Sequence, residues 1–104
     1  FEWLPSSVEL MFLGDRGFEG VLDCEKLPKD LRELDAANNR LRGQVAVAVL
    51  PRGIEVFDVV DNFLSGSVDI RGAPQSLQEL ILFSNKFSGA FISSKDVSIQ
   101  ELYL

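Results

Sequence analysis

The chain is built on a 23-residue repeat, and this feature constrains its fold more than any other. Its four prolines mark the period, at Pro5, Pro28, Pro51 and Pro74. Glycine and asparagine recur at the same spacing, at Gly20, Gly43, Gly66 and Gly89 and at Asn39, Asn62 and Asn85. Repetition on this scale is typical of solenoids. The sequence predicts one array over 1–104, with units at 4–26, 27–49, 50–72 and 73–95 and a partial unit at 96–104.

Each unit contains a short apolar stretch that predicts a β-strand. In the fourth unit Leu80 and Leu82 lie two residues apart, so both side chains point to the same face of a strand. Equivalent pairs in the other units predict that successive strands stack in parallel and bury one continuous core. After the repeat glycines, alternating stretches favour a second short strand on the outer side, at Val45–Val49, Val68–Ile70 and Phe91.

The prolines leave no room for long helices. Between Gly43 and Ile54 the chain is too short for a helix of ordinary length, and Pro51 interrupts it. A proline can instead begin a single tight turn, as at Pro28–Asp30. We therefore expect a mostly-β solenoid with short 3₁₀ turns at most.

Three kinds of recurring or isolated residue have structural interpretations. The asparagine column predicts side-chain amides that bond to backbone groups of the turn after each strand, rather than a catalytic role. The glycine column predicts backbone angles or close approaches that a side chain would block. Cys24 shares its column with Val47 and Ile70, which predicts a buried apolar residue rather than a reactive thiol.

Two units carry a familiar pattern. Leu31-x-x-Leu34-x-Ala36-x-x-Asn39-x-Leu41 and Leu77-x-x-Leu80-x-Leu82-x-x-Asn85-x-Phe87 resemble the leucine-rich repeat. The glycine in Leu64-Ser65-Gly66-Ser67-Val68 is similar to the plant-type subclass, and the Leu-Pro opening is similar to repeat proteins of kinetoplastid protists. The departures are Arg16 at an asparagine position, Ala36 at a leucine position and Ala73 in the fourth opening.

The resemblance implies a right-handed leucine-rich repeat solenoid of the α/β-type superfold, here mostly β. It implies a parallel concave sheet of about five short strands and a convex side of short second strands and 3₁₀ turns. Because leucine-rich repeats mostly serve recognition, it also implies a protein-interaction module.

Composition excludes several classes of function. The chain has no histidine and one cysteine, which argues against zinc sites, His-dependent catalytic groups and an intrachain disulfide. Its net charge of −6, without a basic stripe in the sequence, argues against nucleic-acid binding. No apolar run approaches the roughly 18 residues of a membrane span. Asp35, Asp58 and Asp61 lack the ligand spacing of a calcium loop, so we expect no metal and no cofactor.

Strand residues that alternate with the core columns face the concave side, the usual binding surface of a solenoid. There the 23-residue spacing places Asp35 beside Asp58, about one strand spacing apart. Apolar and aromatic residues surround these acids, a composition typical of interaction surfaces. The candidate partner-binding residues are Phe12, Glu33, Asp35, Val56, Asp58, Val60, Asp61, Ile81, Phe83 and Tyr103. By contrast, the column Glu9, Arg32, Glu55 alternates in sign and predicts an ion-paired, solvated edge.

Three functions fit this pattern to different degrees. The first is a module that binds a basic or amphipathic protein or peptide on its concave face. The alternative is a scaffolding segment of a larger protein without a ligand of its own. An enzyme built on Asp35 and Asp58 is not expected, because a flat strand face offers no enclosing pocket and no nucleophile accompanies them.

The ends of the array lack polar caps. Phe1 falls in the column of Cys24, so the chain begins inside a unit, and the partial unit stops before its asparagine. We therefore expect a piece of a longer array that self-associates through uncapped ends. One buried cysteine and the absence of an Asn-x-Ser/Thr acceptor fit a cytosolic protein, while a secreted or surface-anchored parent stays open.

Overall fold

The computed structural model describes residues 4–93 and 99–104, and these form a mostly-β parallel solenoid of about four turns. Successive strands alternate between two sheets. The first sheet has five strands: β1 (Leu10–Phe12), β3 (Glu33–Asp35), β5 (Val56–Asp58), β7 (Glu79–Ile81) and β9 (Glu101–Tyr103). The second has four: β2 (Glu19–Val21), β4 (Arg40–Gly43), β6 (Phe63–Asp69) and β8 (Lys86–Ile92). The predicted parallel stack is confirmed.

One apolar core lies between the sheets. Leu34 and Phe57 point into it from the five-stranded sheet, and Leu41 and Leu64 point into it from the four-stranded sheet. Burying such a side chain stabilises the fold by roughly 1.5–3 kcal/mol relative to leaving it exposed. Because no strand in the described part of the chain exceeds seven residues, this shared column rather than any single strand holds the solenoid together.

The sheets differ in register. In the five-stranded sheet, β1, β3, β5 and β7 pair so that each residue lies beside the residue one repeat period later, as Leu34 does beside Phe57. Between β7 and β9 this offset is 22 residues. In the four-stranded sheet the offset is 21, as in Gly20 with Leu41. It returns to the repeat period beyond an irregularity between Gly66 and Val68.

The prediction of a second strand at Val45–Val49 is wrong. There the chain forms a 3₁₀ turn at Val47–Val49, like that at Cys24–Lys26. Val45 and Val47 are buried, whereas Ala46, Ala48 and Val49 are exposed, so the alternation of the sequence is not followed through the turn. The second strands begin earlier, and β4, β6 and β8 start directly after the repeat asparagines. Only β6 and β8 continue into the predicted stretches, as far as Asp69 and Ile92.

The predicted tight turns at the prolines are confirmed. The carbonyl of Pro28 accepts a hydrogen bond from Leu31 N at 3.1 Å, and Pro5, Pro51 and Pro74 accept equivalent bonds. Phe1 and residues 96–98 of the predicted partial unit lie outside the described residues.

The repeat asparagines hold consecutive turns together, as predicted. Asn62 is 4% exposed, and its Oδ1 accepts a bond from Leu41 N of the preceding unit at 3.0 Å. Its Nδ2 donates to Ala36 O of the preceding unit and to Val59 O and Val60 O of its own. Asn39 and Asn85 make equivalent bonds. The side chain replaces backbone partners that the turns would otherwise lack.

The predicted role of the repeat glycines is also confirmed, by two different routes. Gly43 has φ +108°, and Gly20 and Gly66 are likewise at positive φ, which side chains rarely tolerate. Gly89 has no such angle, but a Cβ there would overlap the side chain of Ser67.

Cys24 is buried, in agreement with the sequence. Its neighbours in the repeat column, Val47 and Ile70, are buried as well. Burial raises the pKa of the Cys24 thiol, which disfavours the reactive thiolate. In residues 4–93 and 99–104 no helix has the length and apolarity that crossing a membrane requires.

Candidate interaction surface

The outward side of the five-stranded sheet, with its rim, gathers nine of the ten predicted binding residues. We call this surface the acidic face. It consists of strand residues that point away from the core and of two residues just beyond the strands: Leu10, Phe12, Glu33, Asp35, Val56, Asp58, Val60, Glu79, Ile81, Phe83, Glu101 and Tyr103.

The predicted central column of this face is confirmed. Phe12 pairs with Asp35, Asp35 with Asp58, Asp58 with Ile81, and Ile81 with Tyr103. Neighbouring members of the column are therefore about 4.8 Å apart along the sheet. Two like charges lie side by side in its centre, between apolar residues on either side.

Each central aspartate is anchored by the turn that follows its strand. Asp35 Oδ1 accepts a hydrogen bond from Ala37 N, and Asp58 Oδ1 accepts one from Val60 N, both at 3.1 Å. Such local bonds to the backbone are a common use of aspartate at strand ends. The second carboxylate oxygen of each aspartate makes no hydrogen bond within the described residues. Each aspartate thus has one oxygen left for a partner.

The surroundings of Asp58 disfavour its charged form. Partial burial raises the pKa of Asp58, and the nearby charge of Asp35 raises it further, while the bond from Val60 N opposes both. Two carboxylates one strand apart repel by about 1 kcal/mol in water-like surroundings. A cation placed between them would relieve this repulsion.

Two further carboxylates, Glu79 and Glu101, were not among the predicted binding residues. They pair directly across β7 and β9. A hydrogen bond with Glu101 raises the pKa of Glu79, and partial burial and the charges of Glu101, Glu33 and Asp58 raise it further. Glu79 follows Glu33 and Val56 at the 23-residue spacing, so the sequence would have allowed Glu79 to be predicted as part of this face.

No cation offsets these acids within the part of the chain that the structure describes. Glu33, Asp35, Asp58, Glu79 and Glu101 make no ion pair there. This leaves five carboxylates on one face without a neutralising cation among the described residues, which gives a field that attracts cations.

The predicted ion-paired edge is confirmed beside this face. Arg32 Nε contacts Glu55 Oε2 at 2.8 Å, and Arg32 Nη1 lies 3.6 Å from Glu9 Oε1. The guanidinium of Arg32 is therefore ion-paired with two acids that lie outside the acidic face.

Apolar side chains flank the carboxylates at both ends of the sheet. Phe12 is 59% exposed on β1, beside Leu10 at 52%. At the other end Phe83 is 45% and Tyr103 46% exposed, next to the half-buried Ile81. Aromatic surface of this extent beside charge is typical of interaction sites.

Asp61 is the one predicted residue that lies apart from the face. It occupies the turn between β5 and β6 at φ +56°, and it lines a polar recess of about 290 Å³ with Phe63, Ser84 and Lys86 among others. Its equivalents in the repeat are also at positive φ: Asp15, Asn38 and Ser84. Aspartate and asparagine tolerate this conformation better than most residues, so this column was detectable from the sequence.

The chemistry available to this face is electrostatic and apolar. Among residues 4–93 and 99–104, no group of three or more His, Cys, Asp or Glu side chains has the arrangement to hold a metal ion. Comparison of the chain with models of known families, with curated proteins and with solved structures finds no significant match.

Proposed function

We propose that this chain is a right-handed leucine-rich repeat array whose acidic face binds a basic or amphipathic segment of another protein. The observation that carries the proposal is the juxtaposition on one sheet of five unpaired carboxylates with exposed apolar side chains. In a leucine-rich repeat the acidic face corresponds to the concave side.

The leucine-rich repeat assignment is supported by local geometry as well as by spacing. The leucine positions of the pattern, such as Leu34, lie in the core, and each repeat asparagine bonds the turn of the preceding unit. The short second strands and 3₁₀ turns on the other side of the core need little chain, which is compatible with the 23-residue unit.

The binding role is supported by the cost of leaving this face bare. Like charges one strand apart destabilise the free protein slightly, and cationic groups of a partner would remove that cost. Aromatic side chains supply most of the energy of typical interfaces, often about 2 kcal/mol or more at a central position. Charge then contributes mainly to the rate and selectivity of association.

A peptide titration tests the proposal. The probe is a fluorescently labelled peptide of repeated Leu-Ser-Arg-Ser, which in an extended form carries leucine and arginine on the same side. Its charge-reversed counterpart of equal length has glutamate in place of arginine. We expect the arginine peptide alone to bind, with an affinity that falls as salt is raised. In the variant Phe12→Ala with Phe83→Ala, we expect the affinity to fall roughly tenfold.

The matched control removes apolar surface from the other sheet. Val21 and Phe63 are 63% and 48% exposed on β2 and β6, so Val21→Ala with Phe63→Ala removes a comparable area away from the acidic face. We expect this variant to bind like the unmodified chain. Equal loss in both variants would overturn the assignment to the acidic face. A chain that binds no cationic peptide at low salt would favour the scaffolding alternative.

A further inference from the structure

The acidic face carries an ordered sequence of chemistries across its strands. Along the central column an exposed apolar residue, Phe12, is followed by Asp35 and Asp58, and these by the apolar Ile81. The order is therefore apolar, acidic, acidic, apolar, on four consecutive strands of one sheet. A complementary partner must present the order apolar, cationic, apolar when it crosses the strands.

The spacing of this column matches an extended chain. Strands lie about 4.8 Å apart, so the two apolar positions, Phe12 and Ile81, are separated by about 14 Å. In an extended segment, residues i and i+4 point to the same side and are also about 14 Å apart. Residue i+2 points to that side as well, at about 7 Å, which is midway between Asp35 and Asp58. One cation at i+2 can therefore reach both carboxylates.

A helix does not fit the same spacing. Residues of one helix face lie about 10.5 Å apart at i+7 and about 16.5 Å apart at i+11. Neither distance reproduces the separation of about 14 Å between Phe12 and Ile81, and a residue at about 15 Å, at i+10, points to a different side of the helix. The geometry of the face therefore selects an extended partner over a helical one.

The positions of Asp35 and Asp58 allow their two carboxylates to bind one cation together. In each aspartate one carboxylate oxygen accepts a hydrogen bond from the turn after its strand, from Ala37 N or Val60 N, and this bond holds the carboxylate in place. The remaining oxygens have no partner among the described residues. An arginine fork offers several N–H groups in one plane and suits two neighbouring carboxylates better than a lysine.

On the basis of the proposed function, we infer that the partner is an extended protein segment of the form apolar-x-cation-x-apolar that crosses the strands of the acidic face. Its cation lies between Asp35 and Asp58, and its apolar residues contact Phe12 with Leu10 at one end and Ile81 with Phe83 at the other. The same pattern fits in either chain direction, because it is symmetric.

Two peptides of equal composition test this inference. One carries Leu-Ser-Arg-Ser-Leu and the other Leu-Arg-Ser-Ser-Leu between identical Gly-Ser flanks, so the leucines keep their spacing and only the arginine changes sides. NMR titration of the 104-residue chain measures weak affinities without a label. We expect the first peptide to bind roughly tenfold more tightly, with the largest amide shifts at residues 35–37 and 58–60.

Variants of the aspartates locate the preference. Asp35→Asn with Asp58→Asn keeps the oxygens that accept from Ala37 N and Val60 N, so the turns are retained while both charges are removed. We expect the preference between the peptides to vanish in this variant. Glu19→Gln with Glu25→Gln, which removes two exposed charges elsewhere, should leave the preference unchanged.

The outcomes separate this inference from the function on which it rests. Equal binding of the two peptides, or a preference that survives loss of both aspartate charges, overturns the extended pattern but not the acidic face as a binding site. Binding of a long helical arginine–leucine peptide without binding of either short peptide does the same. Failure of every cationic peptide overturns both.

Discussion

The two sheets of this solenoid are built from the same 23-residue unit, yet neighbouring strands are aligned differently in each. In the five-stranded sheet, residues at equivalent positions of successive units are direct neighbours, as Asp35 and Asp58 are. In the four-stranded sheet the alignment is shifted by two residues, so Glu19 pairs with Arg40 rather than with its repeat equivalent, Arg42. A sequence period therefore predicts side-chain neighbours in one sheet and not in the other.

The asparagine amides account for the shift. Asn62 accepts the N–H of Leu41, and Asn85 accepts that of Leu64, in both cases from a residue 21 positions earlier. The strands β4, β6 and β8 begin right after the asparagines, and Asn39 accepts the N–H of Phe18 just before β2, so the pairs in this sheet take the offset of 21. The offset between β6 and β8 returns to the repeat period only beyond Gly66, past the residues that bond to the asparagine amide. In the five-stranded sheet, β3, β5 and β7 precede the asparagines, and β1, β3, β5 and β7 keep the period of the sequence.

The sheets also differ in charge. The strand residues of the five-stranded sheet include five acids and no base. Those of the four-stranded sheet include three bases, Arg40, Arg42 and Lys86, and two acids, Glu19 and Asp69. Lys86 Nζ lies over the Phe63 ring, and Asp69 is paired with Arg71. Charge is thus unpaired on one sheet and partly neutralised on the other.

We expect the largest effect on the difference in strand register between the two sheets when one asparagine amide is removed. Asn62→Ala leaves Leu41 N without its side-chain partner, and it removes one of the two amide bonds to Ala36 O, which keeps the bond from Asn39 Nδ2. A buried polar group that is left unsatisfied costs roughly 1–3 kcal/mol, and each further lost hydrogen bond costs about 1 kcal/mol. We expect unfolding in urea to show a loss of about 2–4 kcal/mol. Hydrogen exchange should accelerate at Leu41 N–H, which serves the four-stranded sheet, more than at Ala36 N–H, which bonds Asp58 O.

Asn85→Ala provides the comparison, since Asn85 makes equivalent bonds but is less buried. Its loss should cost less than that of Asn62. If both amide protons accelerate equally in Asn62→Ala, the amide supports the whole turn and does not set the register of one sheet.

Glycine substitution sharpens the contrast at intermediate cost. The strands of the four-stranded sheet contain glycines at positive φ, whereas those of the five-stranded sheet contain none. Gly43→Ala places a Cβ 3.1 Å from Val21 Cγ1 in an unfavourable conformation, and we expect a loss of about 1–3 kcal/mol by thermal or urea unfolding. Gly53, in the turn after Pro51, has open space and no positive φ, so Gly53→Ala should be neutral or stabilising by up to about 1 kcal/mol. Equal effects would refute the conformational argument.

The smallest effect concerns pH and has opposite signs in the two sheets. Burial and Asp35 raise the pKa of Asp58, so its charged form is penalised in the folded state and the penalty disappears as the pH falls through that pKa. Asp58→Asn should therefore stabilise the protein at pH 7, by less than about 1 kcal/mol, and give no gain below about pH 4.

Asp69 supplies the opposite case. Its bonds to Arg71 lower the pKa of Asp69, so its contribution is present at neutral pH and is lost as the pH falls through the lowered pKa. Asp69→Asn should destabilise slightly at pH 7 and not at low pH. Urea unfolding at pH 7 and at lower pH measures both variants, and equal signs would show that the charges of the two sheets are not differently compensated.

The central column of the acidic face could be predicted from the sequence because it lies where repeat period and strand register agree. Counting one period onward from Asp35 gives Asp58, and the turn after each strand was expected from its asparagine and proline. The core positions followed for the same reason, since Leu34 and its equivalents must stack to be buried.

Other features depended on local geometry that periodicity does not specify. The alternation at Val45–Val49 predicts a strand, but a 3₁₀ turn with three residues per turn forms there, and it buries Val47 and exposes Val49. The shift of the four-stranded sheet arises from side-chain amides rather than from strand pattern. Glu79 and Glu101 were visible in the sequence, but the effect of Glu101 on the pKa of Glu79 depends on how closely the pairing of β7 with β9 brings the two carboxyl groups together.

The asparagine amides, which bond to their own unit and to the preceding one, also determine where such a chain can change its length. Because Asn62 must reach both Leu41 N behind it and Val59 O beside it, an inserted residue between β5 and Asn62 would move the amide out of range. Between β7 and β9 the offset is 22, one residue less than the period, and the two strands still pair. Duplication of a whole unit keeps every amide in reach of both turns, so it is the route by which we expect such an array to lengthen.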